Sequence, residues 1–298
     1  MGVLIIHHQR QNVHVPKPRW LKRSLPTGPT YEKVTALLRK SRLHTVCQEA
    51  KCPNLWECFS RQTSTFLIMG PCCTRNCRFC AVAHGPSGPP DPGEPARVAE
   101  AANSMQLTYV VITSVTRDDL PDGGASHFAK TIKELRKRMP YALVEVLIPD
   151  FQGNRDALQT IVESHPDVLN HNLETVPRLY PSVRPEAGYR RSLELLKQAK
   201  EYDATIPTKS GLMLGLGESP EEVDKTLRDL LDVGCGILTL GQYLQPTREH
   251  LQVERFIHPE EFDDWKETAL KMGFAEVASG PFVRSSYHAK DLYQAIRL

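Results

Sequence analysis

From residue 65 onward, short apolar runs alternate with segments of helical periodicity, and this alternation limits the possible folds more than any other feature. Six apolar runs are expected to be strands: 65–70, 109–114, 143–149, 168–174, 210–217 and 237–244. They lack strict polar alternation, which is typical of strands buried on both faces. Amphipathic segments follow them near 95–105, 124–139, 153–164, 188–202, 220–233 and 259–272. The fifth of these opens on a capping box, with Ser219 as N-cap and Glu222 three residues later.

Six successive strand–helix units predict right-handed crossovers and a parallel sheet. Six units rather than eight favour a partial (β/α)6 TIM-like barrel, open on one side; periodicity alone leaves a doubly wound open sheet as the alternative. We therefore expect three regions. Residues 1–62 form an N-terminal extension, 63–280 form the α/β barrel, and 281–298 form a short C-terminal tail.

Charge is distributed unevenly along the chain, although the net charge is only +2. Residues 1–51 contain ten Lys or Arg against Glu32 and Glu49, which gives +8 and leaves −6 for the remainder. This basic arm is either simply solvated or a docking surface for an acidic partner. No nucleic-acid recognition module is evident, and no apolar run approaches the roughly 18 residues of a membrane span.

Cysteine usage predicts metal binding. Seven of the eight cysteines fall between residues 47 and 80 of a long chain without a recognisable secretory signal. Such crowding is typical of a metal site in a reducing compartment, so we expect a cytoplasmic protein, or one of an organelle matrix if eukaryotic.

The stretch "PCCTRNCRFCAVAHG" contains the spacing C-x3-C-x2-C in Cys73, Cys77 and Cys80, directly after the first strand. Three thiolates can bind three irons of a 4Fe–4S cluster and leave the fourth iron open to a small molecule. A zinc site completed by His84 is the alternative. Cys72 has no partner at a suitable spacing and is assigned no ligand role.

A second cysteine set, with spacing C-x4-C-x5-C, comprises Cys47, Cys52 and Cys58. It suggests a second iron–sulfur cluster, or else a structural clip that pins the N-terminal extension. Cys235 precedes the last predicted strand, away from the expected site, and is interpreted as a small buried hydrophobe.

The C-x3-C-x2-C loop, with Phe79 before its last cysteine, resembles the signature of the radical S-adenosylmethionine (SAM) superfamily. Within it, the chain resembles the lipoyl synthase family. That resemblance extends from about 42 to 288, through "CPNLWEC", "CTRNCRFC", "VAHG", "TSVTRDDLPDGGA", "HNLET" and "GPFVRSSY".

The resemblance implies a partial barrel of radical SAM type with two 4Fe–4S clusters and SAM as cofactors. It implies that Ser285, the first serine of "RSSY", completes the auxiliary cluster of Cys47, Cys52 and Cys58. The implied reaction inserts two sulfurs, at C6 and C8, into an octanoyl group on a lysine of a carrier protein. The C–H bonds of the octanoyl chain are unactivated, so the family uses a SAM-derived 5′-deoxyadenosyl radical to abstract hydrogen, twice per product. The auxiliary cluster is the implied source of sulfur.

The implied partners are octanoylated lipoyl carriers, namely the glycine cleavage H protein and the E2 subunits of 2-oxoacid dehydrogenases. The implied partners also include an electron donor, such as ferredoxin or flavodoxin, and iron–sulfur cluster carriers. No side chain is expected to act as an acid or base in the reaction.

Five residues are expected to contact SAM: Phe79, Asn172, Glu174, Arg184 and Gly215. Asn172 and Glu174 would bind its ribose or amino group, Arg184 its carboxylate, and the glycine-rich "GLMLGLGE" would pass its adenine. Ordinary loop hydrogen bonds and turn geometry are the alternatives. Asp118 and Asp119 are expected to cap the following helix, and His84 and His171 to be structural.

Three other functions remain open from the sequence. The chain could be another two-cluster radical SAM sulfurtransferase, of the methylthiotransferase kind. It could instead be a non-catalytic iron–sulfur electron-transfer protein or a zinc-stabilised binding module.

Overall fold

An eight-stranded sheet, with strands in the spatial order β1 to β8, organises this computed structural model, which describes residues 16–22, 29–61 and 63–297. β1 is antiparallel to β2, and every later neighbouring pair is parallel. The strands are β1 (His44–Thr45), β2 (Thr65–Ile68), β3 (Tyr109–Ser114), β4 (Leu143–Leu147), β5 (Val168–Asn170), β6 (Thr208–Leu214), β7 (Ile237–Gln242) and β8 (Glu276–Gly280).

Helices connect the parallel strands, one main crossover helix in each connection. The α-helices of the described residues are α1 (Pro29–Lys40), α2 (Val46–Glu49), α3 (Leu55–Ser60), α4 (Glu94–Ser104), α5 (Ala125–Arg138), α6 (Arg155–Glu163), α7 (Tyr180–Val183), α8 (Tyr189–Tyr202), α9 (Pro220–Asp232), α10 (Pro259–Met272) and α11 (Ala289–Ala295). Short 3-10 turns lie at Arg19–Leu21, Phe151–Gly153 and Pro177–Leu179. The crossovers α4, α5, α6, α8, α9 and α10 confirm the six predicted strand–helix units.

Burial explains why these segments form strands and helices. All residues of β2 and β7 are buried, as expected for strands covered on both faces. The helices direct only one face toward the sheet, where buried side chains such as Phe128, Leu158 and Leu227 join a single core. At the start of α9, Ser219 and Glu222 form the predicted reciprocal capping box.

The sheet is open. In the described part of the chain no ladder joins β8 to β1, and the sequential strand order lacks the reversal of a doubly wound sheet. The partial barrel is therefore confirmed. Its two outer strands were not predicted, because β1 has only two residues and β8 buries only Val277.

The segment after β8 crosses toward the opposite edge of the sheet. Asn54 Nδ2 donates to Phe282 O at 2.7 Å, and Thr65 Oγ1 donates to Ser286 Oγ at 2.8 Å. Tyr287 Oη donates to Glu57 Oε1 at 3.1 Å. We call this contact of residues 281–288 with residues 54–65 the seam, because it connects the two edges of the open barrel.

No helix in the described ranges combines the length and apolar character needed to cross a membrane. Eight of the ten Lys and Arg residues of the basic arm lie within the described residues, whereas Arg10 and Arg23 lie outside them.

Candidate active site

The cysteines of the C-x3-C-x2-C motif lie on the loop after β2, at the carboxyl end of the parallel strands. The loop folds back on itself, since Cys73 N donates to Ala83 O at 2.8 Å and Gly85 N donates to Cys73 O at 2.9 Å. Cys73, Cys77 and Cys80 line one cavity of about 240 Å³. Cys72 does not line it. The structure thus brings together the three thiols that spacing selected.

Arg75, between two of these cysteines, anchors the loop to the sheet. Its guanidinium donates to both carboxylate oxygens of Asp118 at 2.6 and 2.9 Å, and to Asp150 Oδ1 at 2.6 Å. Arg191 Nε donates to the second oxygen of Asp150 at 2.7 Å. Burial of Asp150 opposes its ionisation, but the hydrogen bond and charge of Arg75 outweigh burial and hold its pKa well below the usual range. The sequence did not single out Arg75, because spacing does not show which loop side chain reaches the next strands.

The acidic residues after β3 correct one prediction. Asp118 and Asp119 do not cap α5; they pair with Arg75 and Arg117. Asp122 caps the entry to α5 instead, where it accepts from Gly124 N and Ser126 N, each at 2.9 Å.

Cys77 and Cys80 are half-buried. Burial raises the pKa of Cys77 to about 11 and that of Cys80 to about 12. Iron binding must therefore displace a proton from each thiol. Cys73 Sγ also accepts backbone N–H groups from Thr116 at 3.3 Å and Arg75 at 3.5 Å. Such bonds to sulfur help set the reduction potential of a cluster.

A polar wall faces the three thiols across the cavity. Arg184 is 9% exposed; its Nη1 donates to Asn172 O at 2.8 Å and Leu173 O at 3.0 Å, while its buried Nε has no partner among the described residues. Glu174 lies beside it with φ of +67°. Burial raises the pKa of Glu174, against the opposing charge of Arg184. A guanidinium and a carboxyl group on one wall suit a ligand that carries both a carboxylate and an amino group.

A second, larger cavity of about 380 Å³ is lined by Cys47, Cys52, Cys58 and Ser285. The cysteines come from the N-terminal extension and the serine from the seam, 227 residues beyond Cys58 (285 − 58). Cys47 is 5% exposed, and burial raises its pKa to about 12, with the nearby Cys52 adding to the effect. The structure therefore places all four residues proposed for the auxiliary cluster around one cavity.

The two cavities adjoin. Phe79, Cys80, Asn172 and Glu174 line both of them. A molecule bound against Cys73, Cys77 and Cys80 would thus lie next to one bound against Cys47, Cys52 and Cys58.

Gly215 lines neither cavity, so the geometry does not support its predicted contact with a cofactor. Its φ is +100°, and a Cβ there would collide with Gln242 Nε2 and Arg255 O. Turn geometry therefore accounts for this glycine. Gly211, the first residue of the same glycine-rich run but not the one singled out, lines the larger cavity, and a Cβ there would collide with Thr239 Oγ1 and lie 3.1 Å from Asn172 Oδ1.

Two structural interpretations are confirmed. Cys235 is 1% exposed and packs in the core. His171 is buried with both ring nitrogens bonded, to Ile148 O at 2.8 Å and Ser192 Oγ at 2.9 Å. Burial lowers its pKa to about 4.

The donor sets fit iron–sulfur clusters. Within the described ranges, no three His, Cys, Asp or Glu side chains converge on one point where a single ion could be held. A cluster does not require that convergence, since each cysteine thiolate binds a different iron. Arg184 Nε and Asn172 Oδ1 are both buried and have no hydrogen-bond partner among the residues that the structure describes, which fits a polar ligand beside the first thiol set.

Comparison with known proteins places the chain in a family. Residues 67–230 match the family model of the radical SAM superfamily, which covers more than half of the chain. Residues 6–52 match the model described as the N-terminal domain of lipoyl synthase of the radical SAM family.

Curated relatives match along almost the whole length. The chain is 59% identical to the lipoyl synthase of Desulfotalea psychrophila over 292 residues, covering 98% of each protein. It is 58% identical to that of Caldanaerobacter subterraneus over 275 residues, covering 92% of this chain and 96% of the relative.

Solved structures share the fold at low identity. SuiB of Streptococcus suis, solved with S-adenosylmethionine, aligns with a TM-score of 0.56 at 10% identity, over 76% of this chain and 53% of that one. HydG, a maturase of the [FeFe]-hydrogenase, aligns with a TM-score of 0.55 at 11% identity, over 90% of this chain and 74% of HydG.

An open parallel barrel with three clustered thiols at its carboxyl edge, together with these matches, defines a radical SAM enzyme, which uses SAM and a 4Fe–4S cluster. Within that superfamily the chain belongs to the lipoyl synthase family, whose members are sulfur-inserting enzymes.

Proposed function

We propose that this enzyme inserts sulfur at C6 and C8 of a protein-bound octanoyl group, with the two cysteine sets holding two separate 4Fe–4S clusters. The observation that supports this most directly is the adjoining pair of cavities, one lined by Cys73, Cys77 and Cys80 and the other by Cys47, Cys52 and Cys58, with Cys80 on the wall of both. Substrate carbon atoms in the shared region would be within reach of both a radical source and a sulfur source.

In the smaller cavity, Cys73, Cys77 and Cys80 would hold three irons and leave the fourth for the amino and carboxylate groups of SAM. Arg184 would bind the carboxylate through its Nε, which has no partner within the described part of the chain, and Glu174 with Asn172 would bind the amino group or ribose. Phe79, at the junction, would contact the cofactor and shield it from water. When bound, SAM and its cluster supply an organic radical able to take hydrogen from an unactivated C–H bond.

The larger cavity would receive the octanoyl chain beside the auxiliary cluster. Its wall includes the apolar side chains Leu147, Leu212, Met213, Tyr243 and Val283. An apolar wall favours an aliphatic chain because burial removes its surface from water. Because no acid or base is needed for hydrogen abstraction, these residues only orient the chain and exclude solvent.

Ser285 would be the fourth ligand of the auxiliary cluster, beside Cys47, Cys52 and Cys58. A serine oxygen is harder than a thiolate and matches iron in a sulfur cluster less well. Its bond to iron would therefore break more readily than the three cysteine bonds as the cluster gives up sulfur.

The carrier protein would dock at the mouth of the larger cavity. Exposed Lys17 and Lys51 line that cavity. An acidic lipoyl carrier, such as the glycine cleavage H protein or an E2 subunit, would be attracted to this basic rim. A small reductant such as ferredoxin or flavodoxin and an iron–sulfur carrier would serve the clusters, in the cytoplasm.

Anaerobic reconstitution tests the two-cluster proposal. We expect about eight irons and eight sulfides per chain, and about four of each after replacement of either cysteine set by alanine. About four irons in the unmodified protein would exclude the second cluster.

The mass of the product tests the reaction. An octanoylated carrier peptide should gain two sulfurs and lose two hydrogens, whereas a methylthiotransferase would increase its mass by that of a methylthio group.

A further inference from the structure

The side-chain amide of Asn172 connects the two halves of the site. Its Nδ2 donates to Glu174 Oε1 at 3.0 Å and to Ser285 Oγ at 2.5 Å. Asn172 is 6% exposed and lines both cavities. The amide thus bridges the wall of the smaller cavity and the serine of the seam.

The orientation of this amide is fixed on several sides. Arg184 Nη1 holds its backbone carbonyl at 2.8 Å, and the Glu174 carboxylate accepts one of its two N–H groups. The second N–H is then directed to Ser285. The Oδ1 atom is buried without a partner among the described residues, on the side where Gly211 has no Cβ.

We propose that Asn172 is a positioning residue for the auxiliary cluster, holding the Ser285 oxygen in the direction of Cys47, Cys52 and Cys58. This inference rests on the proposed function, in which Ser285 is an iron ligand. A loop serine has three rotamers to choose from, and its oxygen is a weakly matched ligand. A fixed N–H donor removes that rotational freedom in advance, as outer partners do for other metal ligands.

The test uses the full chain with Cys73, Cys77 and Cys80 replaced by alanine, so that only the auxiliary cluster is present. Into it are introduced Asn172→Leu, which removes the amide, and Asn172→Asp, which keeps its size but not its N–H groups. Ser285→Ala removes the ligand. Ser286→Ala is the matched control, because this neighbouring serine is bonded to Thr65 instead.

Iron released to an anaerobic chelator, and the electron paramagnetic resonance signal of a three-iron cluster after mild oxidation, are the readouts. We expect both Asn172 variants and Ser285→Ala to lose one of four irons at least about tenfold faster than the parent. Ser286→Ala should release iron at the parent rate.

The outcomes separate the two proposals. If Ser285→Ala loses iron rapidly but Asn172→Asp does not, the role of Asn172 is wrong while the ligand assignment stands. If Ser285→Ala behaves as the parent, the ligand assignment itself is wrong, and this inference fails with it. If neither Asn172 variant takes up a cluster while Ser285→Ala does, Asn172 supports the fold rather than the serine, and the inference is again overturned.

Discussion

Single side chains decide how firmly the cysteine loop is held. Arg75 has 4% of its side chain exposed and bonds two carboxylates on different strand ends. Removal of one partner from such a buried group typically costs about 3–5 kcal/mol, because uncompensated charge remains.

Arg75→Leu should therefore lower the free energy of unfolding by about 3 kcal/mol and reduce the iron retained by Cys73, Cys77 and Cys80. Arg117→Leu is the matched control, since Arg117 is also buried but pairs with Asp119 and reaches the loop at Gly88 O, eight residues after the last of the three cysteines. Thermal melting and iron content measure the two effects. Equal iron loss in both variants would contradict a specific role for Arg75.

His171 gives a pH-dependent prediction. Its folded-state pKa of about 4 lies below the ordinary value of 6.5, so the unfolded chain binds a proton that the folded chain excludes as pH falls. Stability is thus intact above pH 6.5 and decreases toward pH 4, by about 2 kcal/mol between pH 7 and 5. His171→Gln should melt with a smaller difference between these two pH values than the parent. An unchanged difference would show that His171 is not the group responsible.

Gly211 is a residue at which space matters more than turn geometry. A methyl group there meets Thr239 and Asn172, so Gly211→Ala should cost about 1–3 kcal/mol and weaken SAM binding. Gly236→Ala, whose Cβ would meet only Ala275 at 3.9 Å, is the control. Melting temperature and equilibrium dialysis with SAM measure the outcome, and a normal SAM affinity in Gly211→Ala would contradict it.

Residue spacing predicted the thiols but not their surroundings. The loop spacing separated Cys73 from Cys72, because only Cys73 gives the C-x3-C-x2-C pattern with Cys77 and Cys80. Spacing could not separate Gly211 from Gly215, since both lie in one glycine-rich run and only the tertiary contacts distinguish them.

At the scale of elements, the six repeated units were predictable because burial imposes a periodicity on each segment. The helix α10 has the predicted bounds, and the other main crossovers differ by at most two residues at an end. β1 and β8 could not be found this way. Their pairing depends on partners elsewhere in the chain, and so does the position of the tail that carries Ser285.

Asn54 makes one of the hydrogen bonds of the seam, so the seam should be sensitive to its loss. This residue is 1% exposed and donates to Phe282 O. Asn54→Ala should increase amide hydrogen exchange in residues 281–288 at least several-fold while leaving β3 and β4 protected. Ser87→Ala, which removes a side-chain bond to Cys72 O outside the seam, is the control. Unchanged exchange in 281–288 would show that other contacts hold the seam.

For the whole molecule, charge and cavity position together predict how the carrier is recognised. Reversal of Lys17 and Lys51 to glutamate should weaken binding of an acidic octanoylated carrier by about tenfold or more at low salt and flatten its salt dependence. Reversal of Lys130 and Lys133, which are exposed on α5, makes the same change in net charge away from the cavity. Calorimetry at two ionic strengths measures the affinity of the two double variants for the carrier. Equal weakening by both would indicate a general charge effect instead of a docking site.

The seam also has a topological consequence. If one cluster binds both Cys47 and Ser285, the chain between them becomes a closed ring. The two residues are 238 positions apart in the sequence (285 − 47). By the loop-entropy relation for cross-links, closing a ring of that size restricts the unfolded chain by about 5 kcal/mol. In the proposed function, a turnover that consumed this cluster would open the ring, so giving up sulfur would also release the link between the N-terminal extension and the tail.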